Sequence, residues 1–197
     1  MKNELWHIYY SGTDVVDANE EWRNKNIGQN ICSLCNSFIY KKNAILDLVV
    51  EQKIPQKADM FSIGYNSPSI ISEKFKSLIS GYADDYLNFG EIFLKNHDKK
   101  IVSHFAFTGK NKWTLLFGEN PSIIDGKPVV NPKIRICSEC GTKFGYGRGK
   151  RYVDKKENDI KKISFTEFGG ILIDPEIISI SEIKSLRNVR LEKIEIR

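Results

Sequence analysis

Four cysteines are the residues of this chain best suited to chemistry, and they occur as two C-x-x-C pairs. The first pair is Cys32 and Cys35, the second is Cys137 and Cys140, and the sequence has no other cysteine. In a reducing compartment such pairs serve as metal ligands more often than as disulfides. The pattern therefore predicts one structural Zn²⁺ ion bound by all four thiolates.

Each C-x-x-C pair is expected to form a tight turn, here called a knuckle, that presents two sulfurs to the metal. Zinc prefers four ligands in a tetrahedron, and thiolates suit it. The turn favours a residue that tolerates positive φ after its second cysteine, and Asn36 and Gly141 stand there. Because 101 residues separate the pairs (36 to 136 inclusive), much of the fold must lie between the knuckles.

Other interpretations of the cysteines remain open. The four could be reduced thiols or disulfides without a metal, or one pair could be a thioredoxin-like redox motif. The redox interpretation has little support, because neither pair opens a convincing βα unit. A catalytic zinc is disfavoured because four protein thiolates leave no position open for water.

No other set of residues carries an enzyme motif. The sequence contains no H-E-x-x-H, G-x-S-x-G or P-loop pattern. Asp84 and Asp85 are adjacent, so they would not face each other on a helix or strand. His7 and His104 lie in aromatic, strand-like runs that are typical of packed, hydrogen-bonded histidines, and His97 lies in a polar segment. We therefore expect a protein that is not an enzyme.

A glycine-rich basic segment follows the second cysteine pair and indicates an alternative function. Its cationic and aromatic residues could contact phosphates and stack a base. The residues concerned are Tyr146, Arg148, Lys150, Arg151 and Tyr152. The alternative is a zinc-ribbon nucleic-acid-binding protein that uses the loop 143–156. A solvated surface loop is the simpler interpretation, because acidic residues follow closely and weaken the positive electrostatic potential of the loop.

Apolar patterning predicts an α+β fold, mostly antiparallel sheet with a few short helices and a zinc-ribbon-like pair of Cys knuckles. The predicted strands include 5–10, 38–40, 45–50, 101–108, 113–117, 165–173 and 189–196, with 45–50 and 84–94 open to helix as well. We expect a hairpin turn at 109–112 and an edge strand at 189–196. One helix should begin at Ser72 and end at Gly81, and a second should follow Ser179 or Ser181 and end near Asn188.

Length and composition limit the class of protein. The chain has 197 residues and a formal charge of +5, from 30 basic and 25 acidic side chains. These values fit a single domain over 1–197, with a zinc-knuckle module formed by about 28–40 and 134–152. No apolar stretch approaches the roughly 20 residues that span a bilayer, and residues 1–7 do not resemble a secretory signal. We expect a cytoplasmic protein.

The order of these features resembles the bacterial double-CXXCG-motif proteins, regarded as immunity proteins of contact-dependent or polymorphic toxin systems. The matching features, in chain order, are a strand at 6–10, Trp22, the motif 32–36, Asp47-Leu48, a helix at 72–79, the motif 137–141, the segment 158–173, and a short helix with a closing strand through Val189 and Ile194. The first motif here ends in Asn36 where the family has glycine.

The resemblance implies a cytoplasmic protein that binds and neutralises a cognate toxin, with the metal as scaffold. Only the four cysteines are carried over as site residues. An inhibitor of a basic nuclease is expected to be acidic, whereas this chain is net basic. Either acidic residues cluster in space, with the segment 14–21 as the candidate, or the toxin is not a basic nuclease.

Overall fold

Two sheets, two separate hairpins and three helices make up the part of the chain that the structure describes. The computed structural model describes residues 4–12, 16–26, 31–35, 47–55, 57–63, 69–95, 99–110, 112–113, 115–117, 122–124, 127–129, 135–141, 143–144, 151–154, 162–166 and 170–197. In chain order the elements are β1 (Glu4–Tyr10), α1 (Glu20–Asn26), β2 (Leu48–Val50), β3 (Met60–Ser62), β4 (Ser69–Ser72), α2 (Glu73–Tyr86), β5 (Leu87–Leu94), β6 (Lys99–Gly109), β7 (Lys112–Trp113), β8 (Leu116–Phe117), β9 (Ser122–Ile124), β10 (Lys127–Val129), β11 (Arg135–Ile136), β12 (Lys143–Phe144), β13 (Arg151–Val153), β14 (Ile163–Thr166), β15 (Ile171–Ile173), α3 (Ile180–Lys184) and β16 (Val189–Ile196).

A seven-stranded sheet has β1 at its centre. The strand order is β7-β14-β15-β1-β16-β13-β8. β1 pairs antiparallel with β15 on one side and with β16 on the other, where Leu5 lies opposite Ile194. The predicted strand at 189–196 is confirmed, but its edge position is wrong, because β1 and β13 flank it. The complete burial of Ile194 fits this interior position.

A five-stranded sheet has the order β2-β5-β6-β4-β3. Its central strand β6 pairs antiparallel with both β5 and β4. The hairpin predicted at 109–112 is therefore wrong, since β6 has no free edge to accept a returning strand. Instead the chain crosses to the other sheet after Lys110, where β7 pairs with β14 and β8 pairs with β13.

The longest helix, α2, begins where the sequence predicts and ends later. The Ser72 hydroxyl accepts a hydrogen bond from the Phe75 backbone N–H at 3.1 Å, which confirms the predicted N-cap. The predicted end at Gly81 is wrong, because the helix continues to Tyr86. Tyr86 packs against the core, and this packing outweighs the cost of about 1 kcal/mol for a glycine in a helix interior.

The other predicted elements are largely confirmed within the described residues. The Ser179 side chain and Glu182 form a reciprocal capping box at the start of α3, which ends at Lys184, short of Asn188. Residues 48–50 and 87–94 are strands, and the predicted strand at 38–40 lies outside the described residues. Three of the described strand pairs are parallel and the rest are antiparallel, so the predicted α+β class is confirmed.

The main core lies where α2 packs against strands of both sheets. It contains Phe75 of α2, Ile8 of β1, Phe107 of β6 and Phe165 of β14, all essentially inaccessible to solvent. The rings of Phe107 and Phe165 meet edge to face with centroids 5.6 Å apart, a favourable geometry for aromatic pairs. A second cluster around Trp22 of α1 covers the five-stranded sheet, and a third includes Leu5, Leu115 and Ile194.

A buried carboxylate ties α2 to the segment that precedes β16. Asp59 accepts hydrogen bonds from the Ser72 hydroxyl at 2.6 Å and from the Arg187 backbone N–H at 2.8 Å. Its own backbone N–H donates to the Arg187 carbonyl at 3.0 Å, and its carbonyl accepts from the Ser72 N–H at 3.0 Å. Asp59 thus fixes the N-cap of α2 and the approach to β16 together.

We expect Asp59→Ala to lower the free energy of unfolding by about 2–4 kcal/mol, because it leaves two hydrogen-bond donors without their acceptor. Urea unfolding followed by tryptophan fluorescence measures the change. Asp85→Ala truncates an exposed aspartate of α2 and is the matched control, with a change within about 0.5 kcal/mol. Equal effects of the two substitutions would contradict the assigned role of Asp59.

The histidine of β1 is a buried neutral group. Thr166 donates its hydroxyl to the Gly170 carbonyl, so the His7 Nε2–H donates to Thr166 Oγ1, at 3.3 Å. Among the residues that the structure describes, none is hydrogen-bonded to the buried Nδ1 of His7. Gly170 makes room for the ring, because a Cβ at that position would lie 2.5 Å from His7 Nε2. Burial, with the nearby Arg151 charge, lowers the pKa of His7 to about 3.

This lowered pKa predicts acid destabilisation. The unfolded chain takes up the His7 proton near pH 6.5 and the folded chain only near pH 3. The contribution of neutral His7 to the free energy of unfolding is therefore fully present above pH 6.5 and is lost as the pH falls from 6.5 to about 3. Within that window, His7→Gln should remove about 1.4 kcal/mol per pH unit from the slope of stability against pH. Denaturant unfolding at pH 7, 6, 5 and 4 measures both slopes. An unchanged slope in the variant would rule out this contribution.

Candidate metal centre

The four cysteine sulfurs converge although the two knuckles are far apart in sequence. Cys32 Sγ lies 3.6 Å from Cys137 Sγ, and Cys35 Sγ lies 3.6 Å from Cys140 Sγ, each across 105 residues. All four sulfurs lie within 4.8 Å of one another. A tetrahedron of thiolates with bonds of 2.3 Å has sulfurs about 3.8 Å apart, so the cluster has the size that a metal ion needs.

Local sequence shapes both knuckles in the same way. Ile31–Cys35 and Ile136–Cys140 both have the sequence Ile-Cys-Ser-x-Cys, and each forms a turn through its last three residues. In the second knuckle the Gly141 N–H donates to the Cys137 carbonyl at 2.9 Å. Gly141 has φ +70°, which confirms the predicted left-handed position, and Asn36 lies outside the described residues. β11 and β12 pair on either side of this knuckle and hold its ends together.

Without a metal, the electrostatics of the first knuckle favour the neutral thiol of Cys32 over its thiolate. Burial raises the pKa of the Cys32 thiol to about 12, against the opposing effect of the Cys35 and Leu34 backbone N–H groups. Cys32 and Cys137 are buried, whereas Cys35 and Cys140 are half-buried. A cation that replaces these protons neutralises the thiolate charge that burial opposes.

The geometry argues against two interpretations of the cysteines, the disulfides and the thioredoxin-like motif. None of the four forms a disulfide, and sulfurs 3.6 Å apart are well beyond the bond length of about 2.05 Å. The second pair connects two strands and does not open a helix, unlike a thioredoxin-like motif. Four soft donors around one point fit a closed metal site, and such a site leaves no position for a reacting water.

One acidic residue of the site was not anticipated from the sequence. Glu139, between the cysteines of the second knuckle, accepts hydrogen bonds from Ser33 Oγ at 2.8 Å and from Cys32 Sγ at 3.4 Å. These two bonds hold the pKa of the Glu139 carboxyl below its usual value. The contact needs both knuckles in place, so local spacing carries no signal of it.

The remaining candidate residues fall only partly within the described part of the chain. His104 is buried, accepts from the Ser103 hydroxyl at 2.9 Å and donates to the Ala58 carbonyl at 3.0 Å, as expected for a packed histidine. His97 lies outside the described residues. Of the basic loop 143–156, the structure describes 143–144 and 151–154. Arg151 pairs with Glu192 and lies over the ring of Tyr9.

Comparison with known proteins identifies no relative. No family model, no curated protein and no solved structure matches the chain. The resemblance to the double-CXXCG-motif proteins therefore stays a prediction. Among the described residues, no helix has both the length and the apolar character needed to cross a bilayer.

We expect Cys32→Ser and Cys137→Ser each to abolish metal binding and to lower the free energy of unfolding by at least about 3 kcal/mol, because the binding energy of a structural metal is folding energy. Elemental analysis of the purified proteins and urea unfolding measure both effects. Ser138→Ala, an exposed position in the same turn, should keep the metal and the stability. Cysteine variants that unfold like the parent would show that the metal is not structural.

Proposed function

We propose that the chain is a cytoplasmic immunity protein that binds and neutralises a cognate bacterial toxin, scaffolded by a structural Zn²⁺ ion on Cys32, Cys35, Cys137 and Cys140. Zinc is proposed because four thiolates in a closed tetrahedral site are its preferred structural environment. Such a site supports binding rather than catalysis, since it offers no position for a substrate.

The observation that supports a binding role is the apolar surface beside the cysteines. Leu34 and Ile136 are 64% and 61% exposed, and Ile31 is 36% exposed. These three account for half of the six exposed large hydrophobic residues in the described part of the chain. Exposed apolar side chains next to the cysteines of both knuckles are suited to protein–protein contact. The metal would hold both knuckles, and therefore these side chains, in fixed positions.

Charge alone does not define the partner. Asp17, Glu20 and Glu21 of the segment 14–21 are exposed, as an acidic docking surface would require. However, Lys25 and Lys95 share an open groove of about 690 Å³ with Glu20 and Glu21. The acidic residues at this place are thus mixed with basic ones. Contact at the knuckles is the better-supported mode of binding.

The nucleic-acid alternative has less support. Arg151, one of its candidate phosphate contacts, is engaged with Glu192 and Tyr9. The ring of Tyr152, a candidate for base stacking, is covered by the Arg197 guanidinium at 4.5 Å. A gel-shift titration across salt concentration tests this alternative, because phosphate contacts produce a steep salt dependence.

The toxin-binding proposal predicts that Leu34→Ser and Ile136→Ser each weaken binding to the toxin about tenfold or more, because each removes an exposed apolar contact. The toxin to test is the product of the gene adjacent to this one, by calorimetry and by rescue of growth. Val102→Ser is the matched control, since Val102 is a 72% exposed apolar residue of β6.

The control should bind like the parent protein. An adjacent gene product that neither binds the parent protein nor is neutralised by it would contradict the proposed function. If the Val102 variant lost as much binding as the knuckle variants, the interface would not lie specifically at the knuckles.

A further inference from the structure

The side chain of Glu139 crosses from the second knuckle to the first. Its Oε2 atom accepts from the Ser33 hydroxyl at 2.8 Å and from the Cys32 thiol at 3.4 Å. The Leu34 backbone N–H also favours the charged carboxylate. One carboxylate of the second knuckle therefore faces donors from three consecutive residues of the first. The two knuckles are brought together by a polar contact as well as by their sulfurs.

The second knuckle provides the accepting carboxylate and the first provides the donors, although the two knuckles have nearly the same sequence. Leu34 occupies the position in the first knuckle that Glu139 occupies in the second, and its side chain is 64% exposed. Ser138 is the equivalent of Ser33 and is exposed. Besides the Glu139 contacts, the described residues show two sulfur–sulfur contacts between the knuckles. Thiols are weak donors and acceptors, so the Ser33–Glu139 bond is the strongest of these contacts.

We propose that Glu139 is a positioning residue that holds the first knuckle against the second before the metal binds. The inference rests on the proposed metal site and adds a role that this site alone does not require. A metal that meets four prearranged sulfurs binds more tightly than one that must first bring the knuckles together, because only the arranged fraction of molecules is competent to bind.

The hydrogen bond and the charge of Glu139 have opposite effects on the filled site. Loss of the Cys32 thiol proton removes one donor, and the Ser33 hydroxyl and Leu34 N–H remain. The carboxylate charge then lies close to a thiolate and repels it. A glutamine keeps the accepting oxygen without the charge, whereas a leucine removes both. Glu139→Gln and Glu139→Leu therefore separate positioning from charge.

The experiment titrates the metal-free, reduced protein with Co²⁺ against a competing chelator, and reads the thiolate-to-cobalt absorption bands. We expect Glu139→Leu to lower the Co²⁺ affinity about threefold to tenfold relative to Glu139→Gln, and Ser33→Ala to lower it by a similar factor relative to the parent, as loss of one such hydrogen bond would. The double variant should bind no more weakly than either single one, because both remove the same contact. Glu139→Gln should bind at least as tightly as the parent, and Ser138→Ala should match it.

Each alternative result has a definite meaning. Glu139→Leu with the affinity of Glu139→Gln, or a double variant whose two losses add, overturns the positioning role and leaves the metal site intact. A parent protein that takes up no Co²⁺ overturns the metal site and the positioning role together. Urea unfolding of the metal-free variants checks that these exposed substitutions leave the fold unchanged. A variant that unfolds early overturns the role, because its lower affinity then follows from lost stability.

Discussion

The convergence of four sulfurs from two distant turns is the constraint on which the functional interpretation of this protein depends. The chain between the knuckles contains all five strands of one sheet and the helix α2. Closing a loop of about 100 residues costs on the order of 4–5 kcal/mol of chain entropy in the simplest treatment. Burial of the core offsets part of this entropy cost, and a metal ion that bridges the knuckles stabilises the closed arrangement further.

Features set by neighbouring residues could be predicted from the sequence. The turns formed by the cysteine pairs, the left-handed Gly141, and the caps at Ser72 and Ser179 each depend on a few adjacent residues. The ligand set was recognisable for the same reason, because C-x-x-C spacing alone places two sulfurs on one turn. Whether the two turns share a single ion was an assumption that the sequence could not test.

Features set by distant partners could not be predicted. The sequence at 109–112 is typical of a hairpin turn, but β6 already has a partner on each side, so the chain crosses to the other sheet. The alternation of apolar and charged residues at 189–196 is compatible with an edge strand, but β13 pairs with the second side of β16. Gly81 weakens a helix that Tyr86 anchors in the core. Glu139 makes its contacts only when residues 106 and 107 positions apart meet, and the single-domain organisation stays a prediction.

The place of β1 in the seven-stranded sheet has a consequence for biosynthesis. Residues 4–10 lie between β15 and β16, which the ribosome adds more than 160 residues later. Until those two strands are made, this aromatic strand has neither neighbour, and its unpaired backbone is exposed to other nascent chains. Completion of the sheet is therefore expected to be slow, as is usual for topologies dominated by contacts between distant residues.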